Sequence, residues 1–439
     1  MAINRRQFLI GAGGLAAAAT TVGLAGCAPG SQGGGGAQEG GAGGEGGQVN
    51  MALTWWGNPV RNKNTEADIA AYMKANPNVK ISGQPGEFNS YWDKLATQTA
   101  GGQAPDIIQM DMAYIAEYGN RGALLDLKDV DVSKFVEGTV ESGRINDKLV
   151  GVNAGINSPI IFANPKIFDK AKVELPDDTT WTWDQLSDVA AETASKAGVP
   201  FGVISLFTSD QMLSAFLRQN GKELFTSDGL GFEAPDAQAW FDLMVKFQKA
   251  KAIGTPEQIS EEAAKPLDQS AIVVGRAAMQ MYHSNQLEAV NAASKESMKI
   301  LRFPSLTGKA TERKAWYKAS MLWSASAKTK NPEAAVAWID WFSNSTEAAD
   351  IEKAERGIPP NSELQEHVRP KLSPAQQTVA KFITDIKPEL ATTPIAPPPG
   401  GGTLGAVMTR YETDVLFGKS STADAAKKFV DEVKSNLQV

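Results

Sequence analysis

The chain carries two short apolar runs, VNMALTW at residues 49–55 and PDIIQM at residues 105–110. The first run predicts a strand, and the second is of the kind that fills a buried parallel strand. Between them the pattern predicts a helix, a strand and a second helix: residues 65–76 stopped by Pro77, residues 79–83, and a helix capped by Ser90 that ends at Gly101-Gly102. Because strands that alternate with helices build βαβ units, this stretch predicts an α/β domain.

The composition is that of a soluble globular protein. Of 439 residues, 42% are hydrophobic and 21% charged, which suffices for two domains and excludes a disordered chain. The net charge of -7 argues against a nucleic-acid binder, since such proteins concentrate positive charge against phosphate. Two histidines, His283 and His367, and one cysteine, Cys27, exclude disulfides and His- or Cys-clustered metal sites, so we expect neither metal nor other cofactor.

The first 26 residues have the pattern of an export signal, with a positive head and a short run of small apolar residues. Arg5 and Arg6, followed by Phe-Leu, resemble a twin-arginine signal, although Asn4 stands where Ser or Thr is usual. The run ends Leu24-Ala25-Gly26-Cys27, which resembles the lipobox of bacterial lipoproteins. We therefore expect a lipid on Cys27; the alternative is that Cys27 is a small buried residue.

A glycine-rich segment follows the cysteine. Eleven of the 19 residues from 30 to 48 are glycine, a composition typical of a flexible tether between a lipid and a domain. No other apolar stretch of the sequence approaches the roughly 20 residues that a spanning helix needs. The expected membrane attachment is therefore the lipid alone.

Later segments carry further helix and loop patterns. Thr182-Trp183-Asp184-Gln185 is a capping-box start, and Asn331-Pro332 predicts an N-cap followed by proline at the first helical position. The spacing typical of one buried helix face occurs at Trp240, Leu243, Met244 and Phe247. Residues 394–402 are rich in proline and glycine and predict a loop.

Seven segments along the chain form one pattern: NPNVK at 76–80, YWDKL at 91–95, GQAPDII at 102–108, IIFANPKIF at 160–168, WTWDQL at 181–186, GRAAM at 275–279 and NPEAA at 331–335. In this order and spacing they resemble the carbohydrate-type solute-binding proteins of ABC importers, the class that includes maltose-binding protein. Together they span the chain from about residue 50 to residue 365.

The resemblance implies a two-lobe α/β fold of the type II periplasmic-binding-protein kind, whose hinged cleft binds a sugar and closes on it. The chain is expected to cross between lobes near residues 157–159, 303–304 and 343–346. Lobe 1 would then comprise residues 49–157 and 304–345, and lobe 2 residues 158–303 and 346–439. The signal peptide (1–26) and the acylated tether (27–48) precede them.

The resemblance also implies a function. The chain would be a monomeric, lipid-anchored receptor on the outer face of the cytoplasmic membrane, delivering a mono- or oligosaccharide to the transmembrane subunits of an ABC permease. It would be neither an enzyme nor a nucleic-acid binder. Two alternatives stay open: an exported glycoside hydrolase, which needs two carboxyl groups about 5 to 9 Å apart, and a surface adhesin, for which a hinged cleft would be superfluous.

A pyranose offers hydroxyl edges and an apolar face, so its site needs planar polar side chains and aromatic rings. Trp55 and Trp56 point to opposite faces of one strand, and we expect Trp56 to stack on the sugar. Asn58 and Arg61 follow on the loop beyond it, where the alternative is a solvated loop. Asp111 follows the third strand, where the family places sugar-contacting side chains; the alternative is a helix N-cap.

Further candidates come from the hinge and from lobe 2. Asn157 matches the hinge position where the family often places a polar ligand contact. Phe207 and Asp210 lie where the second lobe presents its edge, with core packing and helix capping as their alternatives. His283 and Asn285 stand where the family commonly offers an aromatic ring, and His283 has the alternative of a satisfied buried histidine.

Two candidates lie further along the chain. Trp316 precedes an apolar strand and is expected to face the cleft, whereas Trp338 and Trp341 lie on a helix and are expected in the core. Arg356 follows a helix and is a candidate clamp for a hydroxyl pair or a carboxylate. Its alternative is to cap carbonyls at a helix C-terminus.

Overall fold

The computed structural model describes residues 47–263 and 265–437. The predicted signal peptide, the paired arginines, Cys27 and nearly all of the glycine-rich tether lie outside the described residues. Within the described ranges, no helix combines the length and the apolar character that crossing a bilayer requires.

The strands are β1 Val49–Trp56, β2 Val79–Gly86, β3 Ile107–Met110, β4 Arg144–Ile145, β5 Lys148–Leu149, β6 Val152–Asn153, β7 Ile156–Asn157, β8 Pro159–Ala163, β9 Phe201–Ile204, β10 Phe225–Thr226, β11 Gly229–Leu230, β12 Ala277–His283, β13 Lys299–Leu301, β14 Lys318–Ala319 and β15 Leu322–Ala325. The α-helices are α1 Pro59–Ala75, α2 Phe88–Ala100, α3 Met112–Asn120, α4 Pro165–Ala171, α5 Trp183–Ala197, α6 Asp210–Gln219, α7 Ala234–Lys249, α8 Pro256–Glu262, α9 Leu287–Ser294, α10 Pro332–Asn344, α11 Thr346–Glu352, α12 Ser362–Val368, α13 Pro374–Asp385, α14 Leu404–Leu416 and α15 Thr422–Asn436.

Lobe 1 is built on a five-stranded sheet in the order β2-β1-β3-β15-β6. Strands β1, β2 and β3 run parallel, and β15 lies antiparallel between β3 and β6. Its core includes Leu53, Trp55, Ile107, Trp323 and Trp338, each fully buried. The sequence-based prediction of a parallel α/β unit at the start of the chain is confirmed.

Lobe 2 is built on a four-stranded sheet in the order β13-β8-β12-β9. The predicted capping box forms at Thr182, where the side chain of Gln185 reciprocates. On α7, Trp240 and Phe241 are fully buried, and Phe241 packs against Phe429 of α15 with ring centroids 5.9 Å apart. The C-terminal helix is therefore part of the lobe 2 core.

Three chain segments meet between the two sheets, and we call residues 154–157, 318–321 and 356–358 the joint. Ile156 exchanges both backbone hydrogen bonds with Ile358, at 2.7 and 3.0 Å, while β7 also pairs with β14. A Cβ atom at position 155 would lie 2.1 Å from the Arg356 carbonyl oxygen, so Gly155 is required for this approach. A small hydrogen-bonded ribbon of backbone therefore connects the two lobes.

Two connections fall later than the sequence suggested. The second was expected near residues 303–304, but Ala315 and Trp316 still pack in the lobe 2 core and the chain leaves only at β14. The third was expected near residues 343–346, but α11 packs against α1 of lobe 1, and the chain passes the joint at Ile358. Both shifts arise because long-range packing decides the lobe to which a segment belongs.

The sequence-based prediction was also wrong about where two helices begin. Helix α1 begins at Pro59 instead of residue 65, because Asn58 accepts the amide hydrogens of Val60 and Arg61 and proline suits the first helical position. Helix α2 begins at Phe88 with Glu87 at its N-cap, so Ser90 is not the cap.

Candidate functional site

The cleft lies where the carboxyl ends of strands from both lobes converge on the joint. In open α/β sheets ligands bind at the carboxyl ends of the strands. In lobe 1 these ends lead to Asn58 after β1 and Asp111 after β3. In lobe 2 they lead to Asp210 after β9 and to His283 at the end of β12.

Asp111 is the N-cap of α3 and accepts the amide hydrogen of Ala113 at 2.9 Å. Its other carboxylate oxygen lies 4.0 Å from the Nζ of Lys318, and the side chain stays 19% exposed. The capping alternative is therefore correct. One oxygen still faces Lys318 and the cleft, so the expected ligand contact remains a prediction.

Trp56 belongs to an aromatic cluster on the lobe 1 side of the cleft. Trp55 is fully buried, with its Nε1 donating to Asn62 at 2.8 Å, whereas Trp56 retains 8% exposure. The Trp56 ring meets Tyr91 and Trp92 at centroid distances of 5.2 and 5.4 Å. Most of the Trp56 surface is thus already covered by protein, which leaves little of it for a sugar.

Two members of this aromatic cluster, Phe88 beside Trp56 and Tyr114 beside Trp92, are better placed to meet a ligand. Phe88 packs edge-on against Trp56 at 5.5 Å and is 44% exposed. Tyr114 stacks on Trp92 at 4.0 Å, with the ring planes 24° apart. Sequence reasoning missed them, yet the spacing of Phe88, Tyr91 and Trp92 along one helix face was a usable signal.

The side chains of Asn58 and Arg61 both donate hydrogen bonds to Glu355. The Arg61 Nε donates to one Glu355 oxygen at 2.9 Å, and the Asn58 Nδ2 donates to the other at 3.3 Å. Burial raises the pKa of Glu355, but Arg61 and then Arg356 outweigh it, so the net direction is down. This ion pair ties α1 to the third connection.

The joint contributes Asn157 and Lys318, which face each other across β7 and β14. The Asn157 Nδ2 donates to the Oδ1 of Asn285 at 3.0 Å, and the Asn285 Nδ2 donates to the Glu355 carbonyl at 3.4 Å. No donor from the described residues reaches the buried Oδ1 of Asn157. Sequence reasoning did not single out Lys318, whose importance depends on where β14 crosses.

Lobe 2 brings Asp210 and His283 towards the same lysine. Burial raises the pKa of Asp210, Lys318 lowers it and Asp111 raises it, with a net upward shift. Burial, aided by the charge of Lys318, lowers the pKa of His283 to about 3. A neutral His283 donates from Nε2 to the Gln211 Oε1 at 2.6 Å and accepts the Gln286 amide hydrogen, so its ring is satisfied within the protein.

Three expected ligand residues are core residues instead. Phe207 is 5% exposed and packs against the rings of Trp240 and Phe247. Trp316 is 4% exposed, lies in the lobe 2 core and receives the Arg218 guanidinium over its ring at 5.3 Å. Arg356 is 1% exposed, so its guanidinium is buried and not presented to the cleft surface.

Arg356 is held from several directions inside lobe 1. Its guanidinium pairs with Glu352 at 2.6 Å and donates to the Thr65 hydroxyl at 2.7 Å and the Gln109 side chain at 3.3 Å. The Gln109 Nε2 in turn donates to the Trp56 carbonyl at 3.0 Å. Arg356 is therefore a structural residue that links the third connection to β1 and β3.

A two-lobe α/β fold, with a polar and aromatic cleft over a three-segment joint, defines a binding protein of the periplasmic type. Residues 58–349 match the family described as bacterial extracellular solute-binding protein, and the chain belongs to that family. Within the described residues, no group of three or more His, Cys, Asp or Glu side chains is placed to hold a metal ion.

Individual relatives are distant. The maltodextrin-binding protein MdxE of Bacillus subtilis is 22% identical over 363 residues, which is 79% of this chain and 81% of that protein. An oligogalacturonide-binding protein of Yersinia enterocolitica, solved with digalacturonic acid, is 18% identical with a TM-score of 0.77 over 88% of this chain and 98% of its own. A substrate-binding protein of Listeria monocytogenes, solved with cycloalternan, is 20% identical with a TM-score of 0.75 over the same shares. These structural matches confirm the predicted fold.

Proposed function

We propose that the chain is the substrate-binding component of an ABC sugar importer and that it binds a mono- or oligosaccharide between its lobes. The observation that carries the proposal is that the start of α3 joins two groups: Tyr114 stacks in the aromatic cluster, and Asp111 faces Lys318 with Asp210 of lobe 2 beyond it. The names of the relatives support it, because they state sugar ligands for those proteins.

The chemistry of the two groups is complementary to a pyranose. The exposed edge of Phe88 and the ring of Tyr114 offer apolar surface for the C–H face of a sugar. Asp111, Asp210 and the Asn157 oxygen accept hydrogen bonds, which the hydroxyl edges of a sugar donate. A ligand that contacts both sets bridges the lobes and favours the closed arrangement by its extra contacts.

The proposed delivery rests on the N-terminal pattern. A lipid on Cys27 would hold the chain at the outer face of the cytoplasmic membrane, where it meets the permease as a monomer. The glycine-rich composition of residues 30–48 suits a tether between such a lipid and the folded domain.

Calorimetric titration of a sugar panel, beginning with maltotriose, tests the binding proposal. Saturable heat without release of reducing ends supports a receptor, whereas sustained turnover would identify a hydrolase. Phe88→Ala is expected to weaken binding about tenfold through lost apolar contact. The matched control is Phe417→Ala, since Phe417 is 38% exposed and follows α14 on lobe 2. Equal losses in the two variants would contradict the site.

Fractionation tests the anchor. Cys27→Ala should move the protein from the membrane pellet to the soluble extracytoplasmic fraction, while Ser31→Ala, in the same segment, should not. A Cys27→Ala variant that still pellets would place the attachment elsewhere. Replacement of Arg5 and Arg6 by lysine should block export if the twin-arginine route is used.

A further inference from the structure

We infer that the cleft selects uncharged sugars and rejects uronates, and that Asp111 and Asp210 set this preference by neutralising Lys318. The inference rests on the proposed sugar-binding function and names the class of ligand. Three observations carry it: Arg61 and Arg356 are paired with glutamates, Lys318 has the Asp111 carboxylate at 4.0 Å with Asp210 on the opposite lobe, and the Asn157 oxygen of the joint is an acceptor without a donor from the described residues.

The cations first. Lys318 lies 4.0 Å from Asp111, donates to the Ala319 carbonyl at 3.0 Å and is only 12% exposed. Arg61 is engaged by Glu355 at 2.9 Å, with both side chains 10% exposed. Arg356 is buried against Glu352. A uronate carboxylate entering among these residues would have to displace a carboxylate that is already paired.

The carboxyl groups outnumber their cation. Asp111 lies 4.0 Å from Lys318 on the lobe 1 side, and on the lobe 2 side burial raises the pKa of Asp210, while the charge of Lys318 lowers it and that of Asp111 raises it. His283 is neutral and satisfied by Gln211, so it adds no positive charge. A ligand carboxylate would therefore meet two carboxyl groups and one lysine in a partly desolvated space, where like charges repel more than in bulk water.

The hydrogen-bonding inventory points the same way. Arg61 and the Nδ2 of Asn285 already donate to protein oxygens, and Lys318 gives one of its three hydrogens to the Ala319 carbonyl, whereas the buried Oδ1 of Asn157 receives no donor from the described residues. Sugar hydroxyls donate as well as accept, but an ionised carboxylate only accepts. At the Asn157 oxygen a uronate carboxylate would thus place an acceptor against an acceptor, whereas a neutral hydroxyl can donate there.

The experiment compares one sugar in two charge states. The full chain is titrated with maltotriose and with digalacturonate, and then with the tightest neutral sugar of the panel and its C6-oxidised uronate. We expect the neutral member to bind at least about tenfold more tightly, because repulsion and desolvation of the carboxylate add to the cost. A uronate that binds as well as its neutral counterpart overturns the inference and leaves the proposed function intact. If no sugar of either kind binds, the proposed function itself fails.

The double variant Asp111→Asn/Asp210→Asn tests the residues named. Asparagine keeps the N-cap of α3, so folding is preserved while Lys318 loses its counter-charges. The ratio of neutral to uronate affinity should fall about tenfold or more. The matched control Asp242→Asn, at an exposed position on α7, should leave the ratio unchanged. An unchanged ratio in the double variant would refute the role of the two carboxyl groups.

Discussion

Replacing Glu412 by glutamine should stabilise the protein at neutral pH. It should also remove most of the decrease in the free energy of unfolding that Glu412 causes as pH rises. Glu412 lies on α14 in the lobe 2 interior and is 1% exposed. One oxygen accepts the Trp240 Nε1 hydrogen at 3.1 Å, and no donor from the described residues reaches the other. Burial raises the pKa of Glu412 to about 8 from its ordinary value of 4.5.

The sign follows from proton binding. Between pH 4.5 and 8 the folded protein keeps a proton on Glu412 that the unfolded chain releases. The free energy of unfolding therefore falls as pH rises, by about 1.4 kcal/mol per pH unit. At pH 7 the accumulated loss is about 3 kcal/mol, and above pH 8 it levels off near 5 kcal/mol. Glutamine cannot ionise and keeps an oxygen for Trp240, so it avoids this loss.

Urea unfolding of the wild type and Glu412→Gln at half-unit steps from pH 5 to pH 9 measures the difference. The two curves should converge near pH 5 and diverge steadily towards pH 8. Asp242→Asn, which removes an exposed carboxylate on the same lobe, serves as the control and should track the wild type. A constant difference between Glu412→Gln and the wild type at every pH would refute the assignment of a buried, protonated carboxyl group.

Two further predictions concern the joint. Arg356→Met should lower the free energy of unfolding by about 3–5 kcal/mol, because it leaves Glu352 buried without its partner. The control is Arg369→Met, which removes an exposed ion pair and should cost less than about 1 kcal/mol in the same denaturant assay. Gly155→Ala should lower the melting temperature and weaken sugar binding together, since its methyl group would meet the Arg356 carbonyl. Gly405→Ala, in open space on α14, should raise the melting temperature slightly, and the opposite order of the two glycine variants would contradict the joint.

The local patterns of the sequence were sufficient for the α/β class, whereas the two-lobe arrangement was predicted from the family resemblance. The run that forms β3 and the capping box at Thr182 are short-range features, and both appear where they were predicted. Asp111 was placed correctly at the end of β3 for the same reason. These positions depend on neighbours within a few residues, which a sequence displays directly.

The site residues that failed depend on distant packing. Trp316 and Phe207 look like candidates in the sequence, but their rings are buried by helices and loops far away along the chain. Lys318 offers no local signal, because it becomes important only when β14 crosses next to Asp111 and Asp210. Surface exposure and charge pairing between lobes are properties of the assembled molecule.

The position of β15 has a consequence for the order in which the protein can form during its synthesis. β15 lies between β3 and β6, so the lobe 1 sheet lacks an inner strand until residue 325 has been made. Lobe 2 waits longer still, because Phe429 of α15 completes the packing of α7. Lobe 1 can therefore complete its sheet only after about three quarters of the chain has been made, and lobe 2 only with the C-terminal helix, so both cores close late in synthesis and lobe 1 can close first.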